Sequence, residues 1–373
     1  MHPLLHPRLP RLCLAFSLSL LASSSAGFAQ SPQVLVFDGG GDDRASAVAT
    51  DAVGSVLVAG SSEAATGTSR FSVVKYNALG TLQWVARPAG LIDYVASVAG
   101  DVATDASGNV YAVGYAMKPL PFLQNDFGGV VASFDSNGTQ RWVNLFNGPD
   151  NSRDAAHAVA VDAQGVYVTG VTAGAWGRPD WITLKYSLAG VELWRQIEAG
   201  VGNTDDQPIA IKVDAAGNVV VLGWVQPLDV SGPKDVRVVK RDANGQLLWR
   251  ADYSATDSSD EFPSDLAIDA NGNIYVTLDR GVSTNPELAS VPVTIKFDAQ
   301  GNRLFVLEGT GRGGSAVELD GAGNFIVSGI SFDDAGSNPL PRTSKFTSNG
   351  TLLWSTSVAT STSRSTTSLA AST

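Results

Sequence analysis

One phrase recurs six times and constrains the fold more than any other feature of the chain. Its clearest copy, "AVAVDAQGVYVTG" (residues 158–170), reads as a strand, a tight turn and a second strand. The Asp-x-x-Gly at its centre stands at Asp51, Asp105, Asp162, Asp214, Asp269 and Asp320. A second phrase interleaves with the first, as in "LKYSLAGVELW", and carries an aromatic at Trp84, Trp142, Trp194, Trp249, Phe305 and Trp354. Copies of either phrase follow one another at 49 to 58 residues. Each period therefore holds four short β-rich runs, A to D, separated by Gly, Asn and Asp as in paired hairpins.

Run A alternates sharply. Three residues before each Asp stand Val48, Val102, Val159, Ile211, Leu266 and Val317, while four before it stand Ala47, Asp101, Ala158, Ala210, Asp265 and Ala316. One face is bulky and apolar and the other mostly small, so a four-stranded sheet of this kind packs well against a copy of itself. Repeated radially, such sheets make a β-propeller, with small residues suiting A as the crowded inner strand and the aromatics of D filling space between blades. The chain reads as all-β, with six full four-stranded blades over residues 46–356. Two end fragments, "VLVFDGGGDD" and "SRSTTSLAAST", resemble a D strand and an A strand of an incomplete seventh blade. Residues 30–45 form an entering strand and loop, and the Ser/Thr-rich residues 357–373 compose like a tail.

"DAQGVYVTG" followed by "LKYSLAGVELW" resembles the bacterial seven-bladed β-propeller (SBBP) repeat, and is more distantly similar to the repeats of quinoprotein-type propellers. The resemblance covers nearly the whole chain after residue 45. It implies the fold and leaves the activity open, because such propellers host unrelated functions.

Residues 1–29 read as a secretory signal: Arg8 and Arg11 precede an apolar run at 12–22, and "SSSAGFA" offers a cut after Ala29. The run is too short to span a bilayer. The single cysteine, Cys13, falls inside this leader, so the mature chain holds together by burial and without disulfides. The expected location is outside the cytoplasm: secreted, periplasmic or on the cell surface. The whole chain carries a net charge of −11; without the two leader arginines, 23 basic residues face 36 acidic ones, a net charge of −13. Such a surface repels phosphate backbones and anionic lipid, which excludes nucleic acid and membrane surfaces as expected partners. A monomer is expected.

Topology sorts the loops. A–B and C–D turns fall on one rim and are short; B–C and D–A loops fall on the other and vary, as in "GYAMKPLPFLQNDFGG" and "GVTAGAWGRPDW". Variable loops on a rigid scaffold are where recognition resides. Exposed Tyr115, Phe122, Trp176 and Trp224 on that rim suit stacking on sugars or apolar side chains. His157 is the sole histidine after the leader, at the start of an A run where other copies have Ser46, Gly100, Ile209, Ser264 and Ser315. Asp154 is the acid placed to partner it. The D–A loops also carry Asp42, Asp43, Asp93, Asp150, Asp205, Asp206, Asp260 and Glu261, read as solvated turn caps. The repeated Asp of Asp-x-x-Gly opens a tight turn and is expected to accept bonds from its own backbone. It has too few neighbouring acids for a calcium site, so no metal and no cofactor is expected. Lys212 and Glu318 replace the Ala found two residues before the Asp in the other copies, and are expected to face channel water.

These readings favour a non-catalytic propeller scaffold, with no catalytic residue assigned, that binds an extracellular or cell-envelope protein or glycan through the variable rim. A propeller enzyme (lyase, lactonase or quinoprotein-like) with a site at the channel mouth, and a structural repeat module of a larger surface protein, are the alternatives.

Overall fold

The computed structural model describes residues 37–357 apart from 64–66, 92–93, 120–124, 149–152, 174–177, 199–203, 227–231, 256–258, 282–289, 310–311 and 333–338. The described chain is all β. Six antiparallel four-stranded sheets run in simple up-and-down order and occupy residues 43–86, 96–146, 155–198, 207–253, 261–308 and 312–357, one blade per sequence period. Blade 3 shows the plan, with strand A at Ala155–Asp162, B at Gly165–Ala173, C at Pro179–Tyr186 and D at Glu192–Glu198. From blade 1 to blade 6, strand A of each blade packs beside strand A of the next, so the A strands line the axis. The described residues form the six blades of a β-propeller.

The alternation of strand A becomes two interfaces. The residue three before the Asp faces the preceding blade: Val159 joins Tyr111, Val113 and Val131 of blade 2. Its small neighbours face the following blade, where Ala158 and Ala160 meet Ile211, Val219 and Val221 of blade 4. Small size is what lets the two inner strands approach each other.

The repeated Asp closes its own turn. Asp162 Oδ1 accepts the N–H groups of Gln164 at 2.7 Å and Gly165 at 3.0 Å, and Asp214 Oδ1 accepts those of Ala216 and Asn218, both at 2.9 Å. In three blades a lysine of strand C completes the cap, pairing Lys75 with Asp51 at 3.0 Å, Lys240 with Asp214 at 2.8 Å and Lys345 with Asp320 at 2.7 Å. Here Asp is a part of the fold, as a turn-opening Asp should be.

The D aromatics clasp successive blades. The indole N–H groups of Trp84, Trp142, Trp194 and Trp249 donate to Ser136 O, Leu188 O, Ala243 O and Ala299 O in the C–D turn of the next blade, at 2.9 to 3.1 Å. Among the described residues, no packing comparable to that between consecutive blades joins blade 6 back to blade 1, and Trp354 is 45 % exposed. The outer face of blade 1 is instead met by Phe37, which packs with Val56, Val74 and Tyr76. Phe146 of blade 2 packs in the corresponding way with Val166, Leu184 and Tyr186 of blade 3. Gly39 N–H donates to Asp43 at 2.7 Å as Gly148 N–H does to Asp154 at 2.8 Å. Phe37 thus takes, against blade 1, the place that Phe146 takes against blade 3. Residues 34–36 of the fragment "VLVFDGGGDD", the leader and the residues after 357 lie outside the described residues.

Candidate functional site

Every strand A carries a register shift against its strand B, and the residue stepped over is Ser46, Gly100, His157, Ile209, Ser264 or Ser315. A bulge turns one side chain out of the ladder and bends the strand. Strand B meets the bulge with a glycine in most blades: a Cβ on Gly170 would lie 2.0 Å from Ala155 O. This close approach accounts for the Gly that ends "VYVTG".

His157 is therefore a bulge residue. Its Nδ1 lies 3.0 Å from Pro208 O, at the bulge of blade 4, and donates to it in the tautomer that satisfies both groups. Burial holds the imidazole below its ordinary pKa, partly offset by that bond. Asp154, the rim acid that the sequence left able to partner it, has hydrogen bonds of its own. Asp154 is fully buried, and its Oδ1 accepts the Gly148 N–H and the Thr172 hydroxyl, both at 2.8 Å. The carboxylate helps to close the D–A loop.

The D–A acids are caps, but several are not solvated. Asp206 and Glu261 are as buried as Asp154; Asp206 accepts the Gln226 N–H at 3.0 Å and Glu261 the Ala255 N–H at 3.1 Å. Each loop folds back over its acid because these N–H groups would otherwise lose both water and partner. Asp205 stays outside and pairs with Arg178 at 3.1 Å. Asp93 and Asp150 lie outside the described residues.

Of the four rim aromatics, Phe122 and Trp176 lie outside the described residues. Tyr115 and Trp224 are half-buried rather than exposed, because each packs against its own rim. Tyr115 tilts against Phe127 with ring centroids 5.9 Å apart. Trp224 lies under Lys234, whose Nζ sits 4.1 Å from its ring and 5.0 Å from that of Phe262, itself 41 % exposed. Lys234 and Phe262 were not singled out from sequence, since a lone lysine and a strand-edge Phe carry no pattern. Trp224 and Lys234 flank the B–C loop and Phe262 follows the D–A loop, so the cluster belongs to the variable rim.

A second group lies on the inner strands. Asp101 and Asp265 take the small position and bridge blades: Asp101 Oδ2 accepts the Val159 N–H at 2.9 Å, and Asp265 Oδ2 the Val317 N–H at 3.0 Å. Burial raises both carboxyls, opposed by these N–H groups and by the charge of Lys212. Lys212 also lowers Glu318, yet burial, with a smaller push from Asp265, leaves that carboxyl at about 7. Lys212 and Glu318 are half-buried, less open to water than the sequence suggested. The two aspartates were visible in sequence as the exceptions among alanines. Among the described residues no three His, Cys, Asp or Glu side chains converge as a metal site would require. No described helix is long and apolar enough to cross a membrane.

No family model matches the sequence, and no curated protein matches it. Solved structures do match in fold. The Dos1 propeller superposes with a TM-score of 0.53 at 10 % identity, covering 84 % of this chain and 73 % of that one. The polysaccharide lyase Uly1 superposes with a TM-score of 0.50 at 11 % identity, covering 91 % and 85 %. A periplasmic gluconolactonase of Pseudomonas aeruginosa aligns at 12 % identity over 81 % and 95 %, with a TM-score of 0.37. At these identities the likeness concerns the fold alone.

Proposed function

We propose that this protein is a secreted, non-catalytic propeller that binds an extracellular protein or glycan through the rim of B–C and D–A loops. The Trp224–Lys234–Phe262 cluster carries the reading. It presents an aromatic face and a cation on the rim whose loops vary, a combination that suits stacking on a sugar ring or on an apolar side chain. His157 and Asp154, which the sequence left able to cooperate, each make hydrogen bonds within the fold, to Pro208 O and from the Thr172 hydroxyl respectively. The full chain, presented to a glycan array and to envelope proteins, should retain a defined set of ligands. Phe262→Ala and Trp224→Ala should lose that set without a change in fold by circular dichroism; retention of every ligand by both variants would remove the rim from consideration.

The enzymatic alternative draws on the charged group of the inner strands, where Glu318 lies within reach of the charges of Lys212 and Asp265 and burial holds its carboxyl up at about 7, as suits a proton-transferring group. Turnover of a lactone or a polysaccharide that is abolished by Glu318→Gln would favour it over the binding role.

A further inference from the structure

Each strand D pairs with strand C on one side only, so every blade ends in an open edge. Such an edge offers unpaired N–H and C=O groups to any strand that comes alongside. Charged side chains, short length and proline are the usual guards against this. Strand D of blade 2 holds Arg141, that of blade 3 Glu192, Arg195 and Glu198, that of blade 4 Arg250 and Asp252, and that of blade 5 Arg303 and Glu308. In blade 1 the strand is short, Leu82–Ala86, and runs into Arg87 and Pro88.

Strand D of blade 6, Leu352–Ser357, has none of these guards. Its sequence, LLWSTS, carries no charge, and each of its residues is exposed, whereas every other strand D has some residues partly covered. Leu352, Leu353 and Trp354 are 52, 50 and 45 % exposed. The same blade is the one with no following blade packed on it among the described residues.

We propose that this edge pairs with the same edge of a second copy of the chain, antiparallel about a two-fold axis, joining two four-stranded blades into one continuous sheet. Charge selects that occupant. The chain carries a net charge of −11, so two copies approach each other best through a surface without charge. Antiparallel self-pairing sets a strand opposite itself, which on a charged strand brings like charges together. Leu352–Ser357 brings together only leucine, tryptophan and hydroxyl side chains. It gives a foreign strand no charge to read, so main-chain hydrogen bonds and three apolar side chains carry the contact. The two-fold closes the assembly at the dimer, because each copy uses up its partner's edge. The monomer expected from the sequence is then one side of an equilibrium, and the variable rim takes no part.

Sedimentation velocity of the full chain over a concentration series, with hydrogen exchange at its two ends, tests this. A monomer–dimer equilibrium with a dissociation constant of about 100 µM or tighter is expected, as for a small interface. The amides of residues 352–357 should gain protection as the dimer forms. Leu353→Lys installs the missing guard at an exposed position and should weaken association by about 10-fold or more with the melting temperature unchanged. Leu193→Lys, the same change at an exposed position on strand D of blade 3, should leave association as it is. A monomer at every concentration would overturn the proposal, and amides 352–357 already protected in that monomer would place the chain's own residues on the edge. Association that survives Leu353→Lys, an equal loss in Leu193→Lys, or a dimer whose 352–357 amides exchange as in the monomer would overturn it as well.

Discussion

The indole of Trp194 donates to the carbonyl of Ala243 on the following blade at 3.1 Å, above a turn whose Gly245 has a φ of +83°. A Cβ on Gly245 would lie 2.9 Å from the indole ring. The aromatic therefore both seals and fixes the seam, and the glycine is required twice, for its backbone and for the ring above it.

Trp194→Ala should lower stability by roughly 2–4 kcal/mol, less than a fully enclosed tryptophan, because the ring is half-buried but also loses a hydrogen bond. Trp354→Ala, whose ring is 45 % exposed with no following blade packed on it among the described residues, should cost under about 1 kcal/mol. Urea unfolding of both variants reads the difference; equal losses would mean that the clasp adds nothing.

Asp265→Ala should destabilise the propeller by about 1–3 kcal/mol, since it strips the Val317 N–H of its acceptor in a buried seam. Asp265→Asn keeps an amide oxygen for that bond and should cost less. A chemical-denaturation series in which the two variants behave alike would argue that the carboxylate acts through charge rather than through the bridge.

Glu318 gives the fold a pH dependence of known sign. Its folded pKa of about 7 stands above the ordinary 4.5, so between those values the native state binds the extra proton. Stability then falls as pH rises from about 4.5 to 7 and stays lowered above that. Glu318→Gln should melt higher than the parent at pH 8, with the gap closing towards pH 4. A melting-temperature gap that is constant across this range would refute the assignment.

His157 acts in the opposite direction. Its folded pKa lies below the ordinary 6.5, so on acidification the unfolded state takes up its proton first and stability is lost as pH falls below about 6.5. His157→Asn can still donate to Pro208 O but cannot titrate, and should flatten that acid limb. The ring resonances, followed by NMR, should titrate below those of an unstructured histidine.

The blade count, the strand order and the two faces of strand A were legible because each is written six times, and repetition separates signal from local accident. The turn role of the repeated Asp was legible for the same reason. What stayed hidden is particular to single blades. Asp154, Asp206 and Glu261 sit among polar loop residues that predict solvent, yet the loops close over them to satisfy N–H groups that sequence does not locate. Asp154 and His157 are three residues apart, but the bulge turns the histidine towards Pro208 and the loop draws the acid inward. Lys234 reaches Trp224 across its own B–C loop, but it reaches Phe262 only through the juxtaposition of two blades, a relationship with no spacing along the chain.

The bulge also says something about how such a chain can change. Six backbones step over a residue at the same place, and the residues found there are three serines (Ser46, Ser264 and Ser315), a glycine (Gly100), a histidine (His157) and an isoleucine (Ile209). The step itself is made by the backbone and, in most blades, by the glycine opposite, so the side chain is left without a structural duty that all six must meet. The position acts as an addressable socket, repeated round the axis, into which drift or an engineer can place an imidazole, a hydroxyl or an aliphatic group one blade at a time. Histidine in one socket shows that the scaffold tolerates a titratable group there, and neighbouring sockets offer places where a second could be set beside it.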